Sequence, residues 1–132
     1  MGNVSGYLLD THVFLWLITD ESQLSQPVLS AVLNRHNTLL LSVVSVTEMA
    51  IKVSTKKLDL KQPLETFVKE GMAKFKILEL VLRRPHALKL AELPMHHRDP
   101  FDRLLLAQAS FEGLTLLSQD RQMLSYGIPI VS

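Results

Sequence analysis

The chain has 132 residues, a length that suits one domain with a real hydrophobic core, and we predict a single domain over residues 1–132. Hydrophobic residues make up 47% and charged residues 20%, an ordinary globular composition, while the net charge of +1 favours no class of charged partner. The chain contains no cysteine, which excludes disulfides, thiolate catalysis and metal sites built on sulfur.

Short apolar runs alternate along the chain with longer stretches of helical periodicity. In chain order we predict a strand at 7–10, helices at 12–19 and 24–36, a strand at 38–42, helices at 45–54 and 63–75, a strand at 76–80, helices at 85–93 and 99–113, a strand at 115–118, a helical turn at 120–124 and a strand at 128–131. Strands that alternate with helices indicate crossover connections and parallel pairing. We therefore predict an α/β/α sandwich with a central, mostly parallel sheet of about five strands, and an exposed loop at 57–63.

The sequence gives no sign of a membrane-bound or secreted protein. No apolar run approaches the ~18 residues of a membrane span. The N-terminal stretch has no basic segment and Asp10 interrupts it, so we expect no signal peptide. The absence of disulfides fits a reducing compartment, and we expect a soluble cytoplasmic protein with no membrane partner.

Acidic residues cluster where the predicted strands end. Asp10 ends the first strand, and Glu48 lies on the helix after the second. Asp120 follows the fourth strand, while Asp99 and Asp102 open the helix that leads into it. Because α/β proteins bind ligands beyond the carboxyl ends of their strands, we expect these acids to share one edge of the sheet.

Each acid also has a purely structural interpretation. Asp10 can cap the helix that follows it, and Asp120 can cap the final helical turn. Ser45 and Glu48 have the spacing of a capping box. Asp99, directly followed by proline, matches the start of a helix.

The acids taken together favour a metal site. Two unit charges about 4 Å apart repel by roughly 4 kcal/mol at an effective dielectric constant near 20. Raised pKa values or a bound cation must offset that repulsion. Carboxylate oxygens suit a hard ion such as Mg²⁺ or Mn²⁺, and such a site suits cleavage of phosphodiesters.

His96 and His97 stand beside these acids and raise the question of zinc. Adjacent histidines cannot easily point at one ion, and the chain has no HExxH spacing. A role in the loop is therefore favoured over a role as zinc ligands.

Four segments of the chain together resemble the PIN-domain nucleases, in the group of VapC-type toxins. They are LLDTHVFLW (8–16), SVVSVTEMAIKVSTKKLDL (42–60), HHRDPFDRLLLAQA (96–109) and TLLSQDRQML (115–124). The resemblance runs over nearly the whole chain in the right order. It implies a PIN-like fold, ribonuclease activity, a small antitoxin as partner and a homodimer.

The resemblance also assigns roles to residues. It places Asp10, Glu48, Asp102 and Asp120 in a pocket that is both catalytic and metal-binding, with Mg²⁺ or Mn²⁺ as the cofactor. Asp99 is a possible further ligand. The candidates for contact with substrate phosphates are Arg98, Arg103 and Lys52.

We therefore predict a metal-dependent endoribonuclease that is the toxin of a type II toxin–antitoxin pair. A dehalogenase-type phosphatase needs Asp-x-Asp after the first strand, and the chain has Asp10-Thr11-His12 there. A receiver domain needs a phosphoacceptor aspartate after a central strand, which TLLLSVVS (38–45) lacks. A catalytically silent PIN-like module that binds RNA or a partner remains the alternative.

Overall fold

The computed structural model describes residues 6–132, which form a central sheet with helices on both faces. Residues 1–5, part of the stretch considered for a signal peptide, lie outside the described residues. The elements are β1 (Gly6–Leu9), α1 (Thr11–Thr19), a first 3-10 helix (Glu21–Gln23), α2 (Gln26–Leu33), β2 (Thr38–Ser42), α3 (Val43–Ser54), α4 (Leu64–Lys74), β3 (Leu78–Leu80), α5 (Arg84–Leu90), α6 (Pro100–Glu112), β4 (Thr115–Leu117), a second 3-10 helix (Arg121–Tyr126) and β5 (Ile130–Val131).

The sheet has five strands in the order β3-β2-β1-β4-β5, and every pairing is parallel. At its centre, Leu8 of β1 lies opposite Leu40 on one side and Leu116 on the other. Parallel neighbours need a crossover connection, which the intervening helices supply. The predicted α/β/α fold with a parallel sheet is confirmed.

The core has two parts because successive residues of a strand point to opposite faces. Leu9 packs into a cluster that includes Phe14 of α1 and Phe67 of α4, whose rings meet edge to face with centroids 6.0 Å apart. Leu8 packs into the other cluster, with Leu105 of α6. Burial of each such side chain contributes about 1.5–3 kcal/mol. The carboxyl end of β1 is therefore fixed from both faces.

The predicted helix at 24–36 is shorter in the structure. The Ser25 hydroxyl accepts an amide hydrogen from the first turn of α2, so the helix begins after Ser25. Asn34 adopts an extended conformation, and the side-chain amide of Asn37 donates to the carbonyl of Ala31 at 2.8 Å. The two asparagines thus end the helix earlier than its apolar periodicity predicted.

Two other boundaries follow from left-handed backbone conformations. Lys76 has a φ of 54°, so β3 starts at Leu78 rather than at 76. Gly113 has a φ of 69° and ends α6 as predicted, because glycine adopts this conformation without steric cost. Residues 57–63 form the predicted loop, which is mostly exposed.

None of the helices within residues 6–132 has the length and apolar character needed to cross a membrane.

Candidate active site

Asp10 stands at the carboxyl edge of the sheet, directly after the central strand β1. Its backbone N–H donates to the carbonyl of Leu117 at 2.9 Å, which anchors it to β4. Asp10 occupies the N-cap position of α1, but its side chain makes no capping hydrogen bond. The predicted capping role therefore does not hold for the carboxylate. That group is free for another role although the residue is only 4% exposed.

Ser118 links Asp10 to Asp120. Its hydroxyl donates to Oδ2 of Asp10 at 2.8 Å and accepts the backbone N–H of Asp120 at 3.2 Å. Burial raises the pKa of Asp10, and the negative charge of Glu48 adds to this, while the hydrogen bond from Ser118 and the charge of His12 oppose it. A raised pKa means that the ionised form of this buried carboxyl is disfavoured, and a bound cation would stabilise that form.

Glu48 reaches the same edge from α3, and the predicted capping box with Ser45 is wrong. The helix begins at Val43 because the Ser42 hydroxyl accepts the amide hydrogen of Val44, so Ser45 lies inside the helix. Glu48 instead accepts a hydrogen bond from Oγ1 of Thr11 at 2.7 Å. Its other oxygen, Oε2, lies 3.0 Å from Nζ of Lys52, one turn further along α3.

The Thr11 hydroxyl lies between Ser45 and Glu48. Its Oγ1 is 2.9 Å from Oγ of Ser45. A carboxylate can only accept, so Thr11 donates to Glu48 and accepts from Ser45. Thr11 and Ser45 are fully buried, and this chain of hydroxyls fixes the orientation of Glu48.

Asp99 and Asp102 both lie at the start of α6 and make different contacts. Oδ1 of Asp99 accepts the backbone N–H groups of Phe101 and Asp102 at 2.9 and 3.1 Å, which confirms its predicted role as N-cap. Asp102 is the third residue of the helix, and its side chain is 13% exposed. Its Oδ2 lies 3.3 Å from Nε2 of His97.

The pKa of Asp102 shows that the predicted acids act on one another. Burial, followed by the charges of four other carboxylates, raises this pKa to about 8. The four are Asp10, Asp99, Asp120 and Glu48. The fold thus brings together acids from four separate parts of the sequence, as expected from the strand ends.

Asp120 lies at the exposed side of this edge. Its Oδ1 accepts the backbone N–H of Gln122 at 3.0 Å, so it caps the second 3-10 helix as predicted. Its charge still acts on Asp102. Capping by one oxygen leaves the other oxygen of the carboxylate for a second role.

The three predicted phosphate contacts differ in their surroundings. Lys52 is paired with Glu48 and 31% exposed, and Arg98 is exposed in the loop before α6. Arg103 is buried, and its Nη2 donates to the carbonyls of Leu93 and Pro94 at 3.1 and 3.4 Å. Arg103 therefore holds the loop that leads to Asp99, and we retain only Lys52 and Arg98 as candidates for substrate contact.

The donor chemistry at this edge fits a hard divalent cation. Among residues 6–132, no three His, Asp or Glu side chains already converge on a common point as metal ligands. Mg²⁺ rarely uses such a cage, because it keeps several waters and is held by one or two carboxylates together with substrate phosphates. Within the same residues, neither Asp10 nor Asp120 forms an ion pair with lysine or arginine. The carboxylates of Asp10 and Asp120 are thus available to bind a cation from solution.

The chain belongs to the PIN domain family, whose sequence profile matches residues 7–128. Solved structures share the fold. VapBC2 from Rickettsia felis, bound to a promoter DNA fragment, has a TM-score of 0.72 at 15% identity, covering 96% of this chain and 97% of that chain. VapBC-1 from nontypeable Haemophilus influenzae has a TM-score of 0.67 at 14% identity, covering 96% and 97%. VapBC-5 from Mycobacterium tuberculosis has a TM-score of 0.61 at 17% identity, covering 96% and 98%. No curated protein sequence matches the chain.

The contacts that orient these carboxylates were not predicted. Ser45 was expected only to cap a helix and His97 only to serve the loop, and nothing was assigned to Tyr126, whose hydroxyl lies 2.8 Å from Nδ1 of His97. A signal existed for Ser45, since it lies one helical turn before Glu48 on the same face of α3. Tyr126 carried none, because its contact with His97 spans 29 residues.

Proposed function

We propose that this chain is a metal-dependent endoribonuclease and the toxin of a type II toxin–antitoxin pair. One observation carries the proposal: in a PIN domain, acids from the end of β1, from α3 and from the segment after β4 lie at the carboxyl edge of the sheet, and their charges act on Asp102 at the start of α6. Helix capping accounts for Asp99 and Asp120 individually, and the Lys52 pair accounts for Glu48, but the charges of acids brought to one edge repel one another. A divalent cation bound among the acids offsets this repulsion and can also bind a phosphate of the substrate.

The roles of the side chains follow from their contacts. Asp10 and Asp102 would hold Mg²⁺ or Mn²⁺, together with Asp120. Glu48 completes the pocket, held in place by Thr11 and Lys52. The ion would supply a water of lowered pKa and would polarise the scissile phosphate. A carboxylate of the pocket would orient that water, so no serine or histidine nucleophile is required.

Substrate binding must overcome the negative charge of the pocket. Lys52 stands at its border and Arg98 lies next to Asp99 in the sequence, so both can contact phosphates that flank the cleaved bond. RNA as the substrate rests on the resemblance to VapC-type nucleases.

The proposed protein partners are a small antitoxin and a second copy of the chain. Support for the antitoxin comes from the similar structures, which include VapBC complexes of toxin–antitoxin systems. The homodimer rests on the family resemblance alone.

The test is cleavage of RNA by the purified full-length chain with Mg²⁺ or Mn²⁺ and with EDTA. We expect cleavage with either ion and none with EDTA. Asp59→Asn, in the exposed loop, is the matched control for Asp102→Asn and should cleave like the wild type. Cleavage that persists in EDTA would overturn the metal mechanism. RNA binding without cleavage under any condition would favour the silent binding module.

A further inference from the structure

His97 and Tyr126 form a buried hydrogen-bonded unit behind Asp102. His97 is 9% exposed although it lies in the loop that precedes α6. Its Nε2 is 3.3 Å from Oδ2 of Asp102, and its Nδ1 is 2.8 Å from the hydroxyl oxygen of Tyr126. The backbone N–H of His97 also donates to that hydroxyl oxygen, at 3.2 Å. The Tyr126 hydroxyl therefore touches His97 twice.

These contacts favour one position for the proton on the His97 ring. The backbone N–H can only donate, so Tyr126 accepts that hydrogen bond. The single hydrogen of the Tyr126 hydroxyl is then free for Nδ1 of the ring. When Tyr126 donates to Nδ1, the hydrogen of the neutral imidazole lies on Nε2, which can donate to an ionised carboxylate. Nε2 is the nitrogen that faces Asp102.

The result is a directed chain of hydrogen bonds from Tyr126 through His97 to Asp102. The bond reaches only Oδ2 of the carboxylate, so it sets the rotation of the group and leaves the other oxygen available. The charges of four other carboxylates act on Asp102, and their repulsion of its ionised form would otherwise favour rotation away from the pocket. Such outer contacts orient metal-binding side chains in many proteins.

We propose that His97 and Tyr126 are positioning residues, which hold Asp102 in the orientation that binds the metal ion. The proposal rests on the proposed function, since it concerns the same pocket. Neither residue needs to touch the substrate or the ion. The Tyr126 ring also packs against the rings of His96 and His97, at centroid distances of 4.9 and 5.4 Å, which keeps the unit in place.

The first experiment measures Mn²⁺ affinity of the full-length chain by electron paramagnetic resonance. We expect His97→Ala to weaken Mn²⁺ binding by about 10–100-fold, the effect typical of a lost outer contact, and Tyr126→Phe to weaken it by less. His97→Gln retains an amide donor at the position of Nε2 and should restore most of the affinity. His97→Asn reaches only toward Tyr126 and should not. A purely structural role would make these two variants alike.

The matched controls are His36→Gln in the exposed loop before β2 and Tyr7→Phe on β1, which should both bind Mn²⁺ like the wild type. Thermal unfolding of every variant identifies any that fails to fold. Wild-type affinity in His97→Ala, alongside lost affinity in Asp102→Asn, would overturn the positioning role and leave the proposed function standing. A wild-type chain that binds no Mn²⁺ would overturn both.

The second experiment needs no metal. Long-range ¹⁵N–¹H correlation spectra, recorded above pH 8 so that the Asp102 carboxyl is ionised, report which ring nitrogen of His97 carries the hydrogen. We expect the Nε2–H form in the wild type and a mixture of both forms in Tyr126→Phe, with no change in Tyr7→Phe. An Nδ1–H ring in the wild type would overturn the proposal.

Discussion

Glu48 and Asp102 contribute carboxylates to the same edge of the sheet, yet the fold treats their charges differently. Glu48 has a hydroxyl donor on one oxygen and the ammonium group of Lys52 on the other. Asp102 has an imidazole at 3.3 Å, and the negative charges of four further carboxylates act on it. The charge of Glu48 is therefore compensated within the protein, whereas that of Asp102 is not.

This difference indicates separate roles for Glu48 and Asp102 in the pocket. Lys52 lies four residues after Glu48 on α3, so its compensating charge is present whenever the helix is formed. Asp102 gains a compensating positive charge only when a cation binds. The charge of Glu48 is thus compensated with or without metal, whereas Asp102 is the acid whose charge responds to metal binding.

The largest expected effect is on catalysis. Asp102→Asn removes the uncompensated carboxylate and should slow RNA cleavage by roughly 1000-fold, or about 4 kcal/mol of activation free energy. Glu48→Gln keeps the hydrogen bond from Thr11 and should slow cleavage by only about tenfold, or about 1.4 kcal/mol. Single-turnover cleavage rates of both variants provide the comparison. Equal losses of cleavage rate in the two variants would contradict this difference between Glu48 and Asp102.

The second effect is on the pH dependence of stability without metal. Asp102 titrates at a pKa of about 8 in the folded chain and near 3.8 in the unfolded chain. Between these values the folded chain binds a proton that the unfolded chain does not. The free energy of unfolding must therefore fall as the pH rises through this window. The stabilisation that a bound metal ion gives to the folded chain should grow toward pH 8.

Urea unfolding in EDTA at pH 5 and pH 8 measures this slope. We expect the wild type to lose about 3 kcal/mol more than Asp102→Asn over that interval. Glu48→Gln should retain most of the wild-type slope, because burial is the main cause of the raised pKa. A wild-type slope no steeper than that of Asp102→Asn would mean that Asp102 is ionised in the folded chain.

The sequence was sufficient to predict the backbone positions of the acids. Asp10 follows the central strand and Asp120 follows its neighbour, and parallel strands place their carboxyl ends at one edge. Asp99 before proline was identifiable as a helix cap because capping depends on residues two or three positions away.

The partners of the side chains were not predictable in the same way. The contact of Glu48 with Thr11 spans 37 residues, and that of His97 with Tyr126 spans 29. Arg103 follows Asp102 directly, and sequence adjacency suggested a shared role at the phosphate. The helix turns it by about 100° from its neighbour, toward the carbonyls of Leu93 and Pro94.

The smallest effect separates the two acids at the start of α6. Asp99→Ala removes the cap from two backbone N–H groups and should lower the free energy of unfolding by about 1 kcal/mol. Asp99→Asn should be nearly neutral, since asparagine caps about as well as aspartate. Both variants remove only one of the four charges that act on Asp102 and leave Asp102 itself in place, so cleavage should change little in either. The measurement combines urea unfolding with cleavage rates, and Asp102→Asn provides the opposite pattern: a folded chain that has lost its activity. If Asp99→Asn abolishes cleavage while its stability is unchanged, then Asp99 is a ligand of the metal site as well as the cap of the helix.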